Sequence, residues 1–219
     1  KQSTPELLER RGISAEEAAQ IDIYRSEVRA LRAMAYYNML DLFGKAPFIT
    51  ENDPVNFTGP EVNRKQLFEY VETELKAVLP DLKAARTNEY GRLDQSMARM
   101  ILAKMYLNAQ VYIQADRFND CIAMCSEIIA SGYTLKPKYL DNFKADNNTS
   151  QEIIFGIQSD GAVSQNWGAT TVLTNGQIGE WENNGADFGI GGWTGALRIR
   201  KEFAQKFDGV KFSQDTRNT

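Results

Sequence analysis

Three tryptophans fall at positions 167, 181 and 193, inside a stretch with no lysine or arginine between Lys144 and Arg198. Eight of the 16 glycines lie in residues 161–192, and the polar residues around the indoles are mostly amides and hydroxyls. That combination suits a neutral, polyhydroxylated ligand. The C–H face of a pyranose is apolar and weakly positive, so it stacks on the negative face of an indole. Amides and hydroxyls serve sugar hydroxyls as both donors and acceptors, and Gln165, Asn166 and Thr170 are the candidates for that role. A phosphate or carboxylate ligand would call for Arg or Lys, which this stretch excludes. Any one tryptophan is as well explained as a plug fastening a loop to the helices. The clustering of Trp167, Trp181 and Trp193 turns the reading toward binding.

Other groupings carry less chemistry. The chain has no histidine, which removes His-based triads, His-ligated zinc and the usual near-neutral general base. Glu180, Glu182 and Asp187 flank Trp181 and could supply the carboxylate pair of a glycosidase. No motif specifies an acid and a base among them, and the expectation is a protein that is not an enzyme. Cys121 and Cys125 stand four apart on an apolar helix face and read as small core residues, since no further Cys or His exists to complete a metal site. Asp146, Asn148 and Ser150 alternate as oxygen ligands do, but lack the glycine and spaced glutamate of a calcium loop. Arg25, Arg29 and Arg32 form a stripe expected to pair with carboxylates on neighbouring helices. Net charge is −4 without a long basic cluster, which counts against a nucleic-acid partner. No apolar run reaches membrane-spanning length, KQSTPELLER does not read as a signal peptide, and no cofactor is indicated.

The elements that must position these groups are mainly helical. A chain of 219 residues can bury roughly 70% of its unfolded surface without disulfides or metal. Ser14 and Glu17 form a capping box, and Ile21, Tyr24, Val28, Leu31, Ala35 and Leu42 recur at helical spacing, predicting a helix over 15–43 that Gly44 stops. Asn63 with Gln66 opens a second helix, with Leu67, Phe68, Val71, Leu75, Val78 and Leu79 inward. Asp94 caps a third, with Ala98, Ile101, Leu102, Met105 and Ala109 inward. A fourth follows Asp116, with Phe118, Cys121, Ile122, Cys125, Ile128 and Ile129 inward and Gly132 as terminator. Phe68, Val71, Leu75 and Val78 share their spacing with Phe118, Cys121, Cys125 and Ile128, and Ala33 to Asn38 matches Ala103 to Asn108. This resembles the tetratricopeptide helix-turn-helix repeat. After residue 140, Glu152–Ile157 reads as a short strand, residues 161–192 as a long loop, and Leu197–Phe207 as a last amphipathic helix. The domain expectation is a helical region over 1–140 and a loop-rich ligand-binding segment with a terminal helix over 141–219.

In this order the pieces resemble the SusD/RagB family, the surface glycan-binding lipoproteins of Bacteroidota, and its starch-binding branch most closely. The resemblance is carried by RALRAMAYYNMLDLFGKAPF (29–48), YGRLDQSMARMILAKMYLNAQVY (90–112), IASGYTLKPKYLDNF (129–143), SQEIIFGIQSDG (150–161), NWGATT (166–171) and GGW (191–193). It implies a mainly α fold, tetratricopeptide-like repeats in a SusD-like α/α superhelix cradling an irregular segment with short strands. It also implies oligosaccharide or polysaccharide binding, with a starch-like α-glucan as the expected ligand, at the outer membrane through a lipid anchor outside this chain. The implied partner is a SusC-like TonB-dependent transporter. Trp167 and Trp193 fall where the starch-binding branch places two members of its aromatic arc, whereas Trp181 has no such match. Family members run to roughly twice this length, so the chain reads as an internal piece of a domain. A second reading, from another class, is a tetratricopeptide-type interaction scaffold in which the loop only packs.

Overall fold

The computed structural model describes residues 4–144, 146–158, 185–188 and 200–206. The chain divides into two compact units: Lys1–Leu135 with Gln151–Phe155, and Lys136–Ser150 with Gly156–Thr219. A short helix, α1 (Pro5–Arg10), precedes the 29-residue α2 (Ala15–Phe43). The start of α2 is fixed reciprocally: Ser14 Oγ accepts from the Glu17 amide at 3.2 Å, and Glu17 Oε2 accepts from the Ser14 amide at 2.9 Å. Gly44 ends it in the left-handed region, at φ 69°.

Two three-residue strands follow, β1 (Lys45–Pro47) and β2 (Glu61–Asn63), antiparallel with Ala46 opposite Val62. Neither is legible as alternation, because three residues are too few, and Pro47 reads as a breaker although it is tolerated in an edge position. The intervening loop closes through the Phe48 amide on the Pro60 carbonyl at 3.0 Å. Gly59 lies so close beneath it that a Cβ there would stand 1.9 Å from the Phe48 carbonyl oxygen. Asn63 then caps α3 (Arg64–Val78) with Gln66 in a second capping box. Asp94 caps α4 (Gln95–Leu107), its Oδ1 accepting from the amides of Ser96 and Met97 at 2.8 and 3.3 Å. Asn108 breaks the axis before α5 (Ala109–Ile113), and α6 (Phe118–Ala130) opens with its Phe118 amide on Asp116.

Helices α2 and α3 run antiparallel, since Arg29 meets Glu74 while Tyr36 meets Tyr70. Helix α6 packs on α4, and α3 is also covered by α5. Of the residues expected inward, Leu67, Phe68, Val71, Leu75, Val78, Ala98, Ile101, Leu102, Met105 and, beyond α4, Ala109 are buried and Leu79 is half-buried, while Glu74, Ser96, Met97, Ala103 and Tyr106 are buried besides. The helical pairs and neighbouring helices make this a mainly α fold.

Two expected faces are corrected. In α2 the residues at 24, 28, 31 and 42 are exposed, and the buried stripe is Ser26, Glu27, Ala30, Ala33 and Leu40. This helix carries apolar side chains on both sides, so periodicity does not choose between them. Alanines at 30 and 33 let a neighbouring helix approach closely, which larger residues would prevent. In α6 only Ile128 is buried, while Phe118, Ile122 and Ile129 are exposed and both cysteines are half-buried. Helix α3 packs chiefly on α2 and is covered further by α4 and α5, whereas α6 packs chiefly on α4. Equal spacing in the two copies thus gives unequal burial.

Glu152–Ile157 forms no strand. Its Ile154 and Phe155 instead lie half-buried against the helical core. In the second unit, short 3₁₀ turns span Tyr139–Phe143, Asn147–Thr149 and Gly185–Phe188, and α7 (Lys201–Ala204) lies inside the expected terminal helix. It is shorter than expected: Arg200 precedes it and Gln205 and Lys206 form a turn after it, while residues 197–199 and 207 fall outside the described residues. Among the described residues no helix is long and apolar enough to cross a membrane.

Candidate functional site

The six ligand contacts expected from sequence, Trp167, Trp193, Asn166, Gln165, Thr170 and Trp181, lie outside the described residues, as do Glu180 and Glu182. Asp187 is described and is exposed in a 3₁₀ turn. What the structure supplies is the frame on the N-terminal side of that stretch. Gln151–Phe155 belongs to the helical unit, and Ile154 and Phe155 anchor it by packing on the core. The Thr134 amide donates to the Gln151 carbonyl at 3.3 Å, so the chain leaves that unit after Leu135 and rejoins it beside its point of departure.

The excursion between, Lys136–Ser150, orders itself locally. Asn147 Nδ2 donates to the Asn142 carbonyl at 3.1 Å, and the Ser150 hydroxyl donates to Asn142 Oδ1 at 2.8 Å. The Tyr139 and Phe143 rings lie 5.1 Å apart with a 58° tilt. Lys144 pairs with Asp141 at 2.6 Å, which lowers the carboxyl's pKa and raises the amine's. Of the oxygens considered for calcium, Ser150 is therefore engaged with Asn142. Among the described residues no three Cys, Asp or Glu side chains gather as a metal site.

The charged clusters of the helical unit are saturated internally. Arg29 grips both oxygens of Glu74, at 2.8 and 2.9 Å, and Arg32 spans Glu74 and Glu51. Two of the three stripe arginines thus pair as expected with carboxylates beyond α2, and Arg25 reaches Asp22 in its own helix at 2.7 Å. Glu27 accepts from Arg92 and Asn88, and Arg92 in turn lies 4.8 Å over the Tyr24 ring. Glu72 receives Tyr106, Lys76 and Arg117 together. Among the described residues the carboxylates with a shifted pKa all move down: Glu17, Glu51, Glu72, Glu74 and Asp141. A general acid working near neutrality needs the opposite shift.

Beside this lies an aromatic cluster that sequence reasoning missed. Phe48 and Tyr70 meet edge to face at 4.7 Å, Tyr36 joins them at 5.2 and 5.3 Å, and the Tyr36 hydroxyl accepts from the Ile49 amide at 2.8 Å. It fixes the loop after β1 to α2. The signal available was the tyrosine pair in α2 followed by Ala-Pro-Phe, but nothing in the spacing says which tyrosine reaches the loop. Arg86 was also missed. It lies in the connection before α4, where no periodicity exists to read, and its guanidinium reaches the Gly132 carbonyl and the Gln151 side chain.

No protein-family model matches the chain. The starch-binding protein SusD of Bacteroides thetaiotaomicron is 37% identical over 159 residues, covering 69% of this chain and 28% of the relative. The SusD-like protein P25 of Formosa agariphila is 30% identical over 148 residues, covering 64% of this chain and 26% of the relative. These matches span little more than a quarter of the curated relatives. Among solved structures, the surface glycan-binding protein A from Bacteroides uniformis superposes with a TM-score of 0.65 over 91% of this chain and 42% of that one, at 24% identity. At that identity the likeness establishes the fold.

Proposed function

Because the chain is SusD-like in sequence and in fold, we propose that it belongs to a cell-surface protein that binds glycan without cleaving it. The ligand is an oligosaccharide or polysaccharide, here assigned as a starch-like α-glucan held by stacking on Trp167 and Trp193. Gln165, Asn166 and Thr170 serve its hydroxyls, and Trp181 extends the aromatic surface. The bound chain is passed to a SusC-like TonB-dependent transporter, and a lipid anchor retains the protein at the outer membrane.

The observation that carries the reading is the 37% identity to a starch-binding SusD. It is supported by a stretch that places three indoles among amides and hydroxyls and excludes every cation.

Affinity electrophoresis of the full chain through amylopectin tests it. Trp167→Ala or Trp193→Ala each removes a stacking face and is expected to weaken retention about three- to tenfold, with the helical circular dichroism unchanged. Wild-type migration unaffected by any glycan, with the tryptophan variants losing stability instead, would return the protein to the scaffold reading.

A further inference from the structure

We propose that Arg86 is a positioning residue for the ligand-binding stretch, a role that rests on the glycan reading above. Arg86 is one of three non-glycine residues with positive φ among the described residues, at φ 62°. A left-handed arginine costs backbone energy and persists where its surroundings fix it. Here the fixing group is Asp94, which is only 6% exposed. Its Oδ2 accepts from the Arg86 amide at 2.7 Å while its Oδ1 caps α4. The anchor point is thus a helix start, among the more rigid places in the unit.

From that backbone the guanidinium reaches groups 46 and 65 positions later in the chain. One terminal nitrogen donates to the Gly132 carbonyl and the other to the Gln151 side-chain oxygen, with the guanidinium carbon 5.6 Å over the Tyr133 ring. Arg29, Arg32, Arg92, Arg99 and Arg117 each hold a carboxylate. Arg86 instead holds a carbonyl, an amide and a ring, all uncharged. Its contribution is geometric: a planar fork bridges two acceptors at a fixed separation, which a lysine's single ammonium does poorly.

The two acceptors sit at the two feet of the excursion Lys136–Ser150, beside the backbone bond from Thr134 to Gln151. Gln151 also begins the short segment whose Ile154 and Phe155 dock on the core, and the chain continues from there to Trp167. Fastening Gln151 removes freedom from the root of the binding stretch before ligand arrives. That is affinity gained by preorganisation and not by contact.

The test compares full-length wild type, Arg86→Ala, Arg86→Lys and Gln151→Ala by calorimetry with maltoheptaose, amide exchange without ligand, and thermal melting. Arg86→Ala is expected to weaken binding about three- to tenfold. It should also speed exchange at Thr134 and Gln151–Phe155 while leaving α4 amides protected and the melting temperature nearly constant. Arg86→Lys should fall between, and Arg86→Ala should add little in the Gln151→Ala background. Unaltered affinity in Arg86→Ala, or a loss that merely follows the melting temperature, overturns the proposal. Accelerated exchange together with a wild type that binds no glycan sinks the glycan reading, and the positioning role with it, but leaves the latch. Unchanged exchange in a wild type that binds glycan sinks the latch and leaves the glycan reading.

Discussion

Glu72 shows how a single carboxylate can tie three elements together. It sits in α3, accepts from Lys76 one turn on, from the Tyr106 hydroxyl of α4 at 2.9 Å, and from Arg117 before α6 at 2.9 Å. Burial would raise its pKa, but the hydrogen bonds from Arg117, Lys76 and Tyr106 outweigh it and bring the group from its ordinary 4.5 down to about 2. For Tyr106 burial and the bond to Glu72 act together, and its hydroxyl is pushed up to about 12. A lowered folded-state pKa means stability that is complete above pH 4.5 and lost as pH falls toward 2. Glu72→Gln is therefore expected to cost about 1–3 kcal/mol at neutral pH, because Arg117 and Tyr106 lose a charged acceptor. It should also flatten the decline of melting temperature through that acid window, with the remaining slope belonging to Glu74 and Glu51. Melts followed by circular dichroism at several pH values check both effects, and parallel wild-type and variant curves would show that Glu72 does not carry the acid sensitivity.

Helix α2 is the element whose end points were plain in sequence and whose orientation was not. Ser14, Glu17 and Gly44 mark its ends through backbone hydrogen bonds, which are local and so legible. Which side it buries depends on what packs against it. The wrong side was the more apolar one because valine and leucine at 28 and 31 outrank the alanines that close contact requires. Ala33→Leu is expected to overpack the buried face and cost about 1–3 kcal/mol, whereas Val28→Ala should stay within about 0.5 kcal/mol. Urea unfolding midpoints measure the pair, and the reverse order would restore the face read from periodicity. Helices α3 and α4 were legible in start and face, since each has one apolar side, but their ends were not, and Ala109 belongs to α5 beyond the break at Asn108. Two things escaped for related reasons. The strands at Lys45–Pro47 and Glu61–Asn63 are set by a backbone crossing and not by pattern. The Glu152–Ile157 segment has the composition of a strand but forms none, and its Ile154 and Phe155 pack on the helices. Of the candidate site, composition suggested the proposed ligand class and family likeness singled out Trp167 and Trp193, which lie outside the described residues. The Arg86 attachment was invisible because it joins residues with no shared periodicity.

At the scale of the molecule, all three tryptophans lie in the second unit, and among the described residues every α-helix longer than four residues lies in the first. Indole fluorescence and far-ultraviolet dichroism therefore report on different units of one chain. In a urea titration with maltoheptaose at about a hundred times its Kd, the fluorescence transition should be stabilised by up to about 2.7 kcal/mol. The dichroism transition should move less. Equal shifts would mean that the units unfold as one, and a shift in dichroism alone would place the ligand away from the indoles. A different kind of consequence follows from Gly59, whose missing side chain leaves room for the Phe48 carbonyl. Every other amino acid would put an atom where that oxygen already stands. Any side chain at this position is thus expected to push the loop off its crossing, whereas the outer surface of the long helix has room for change.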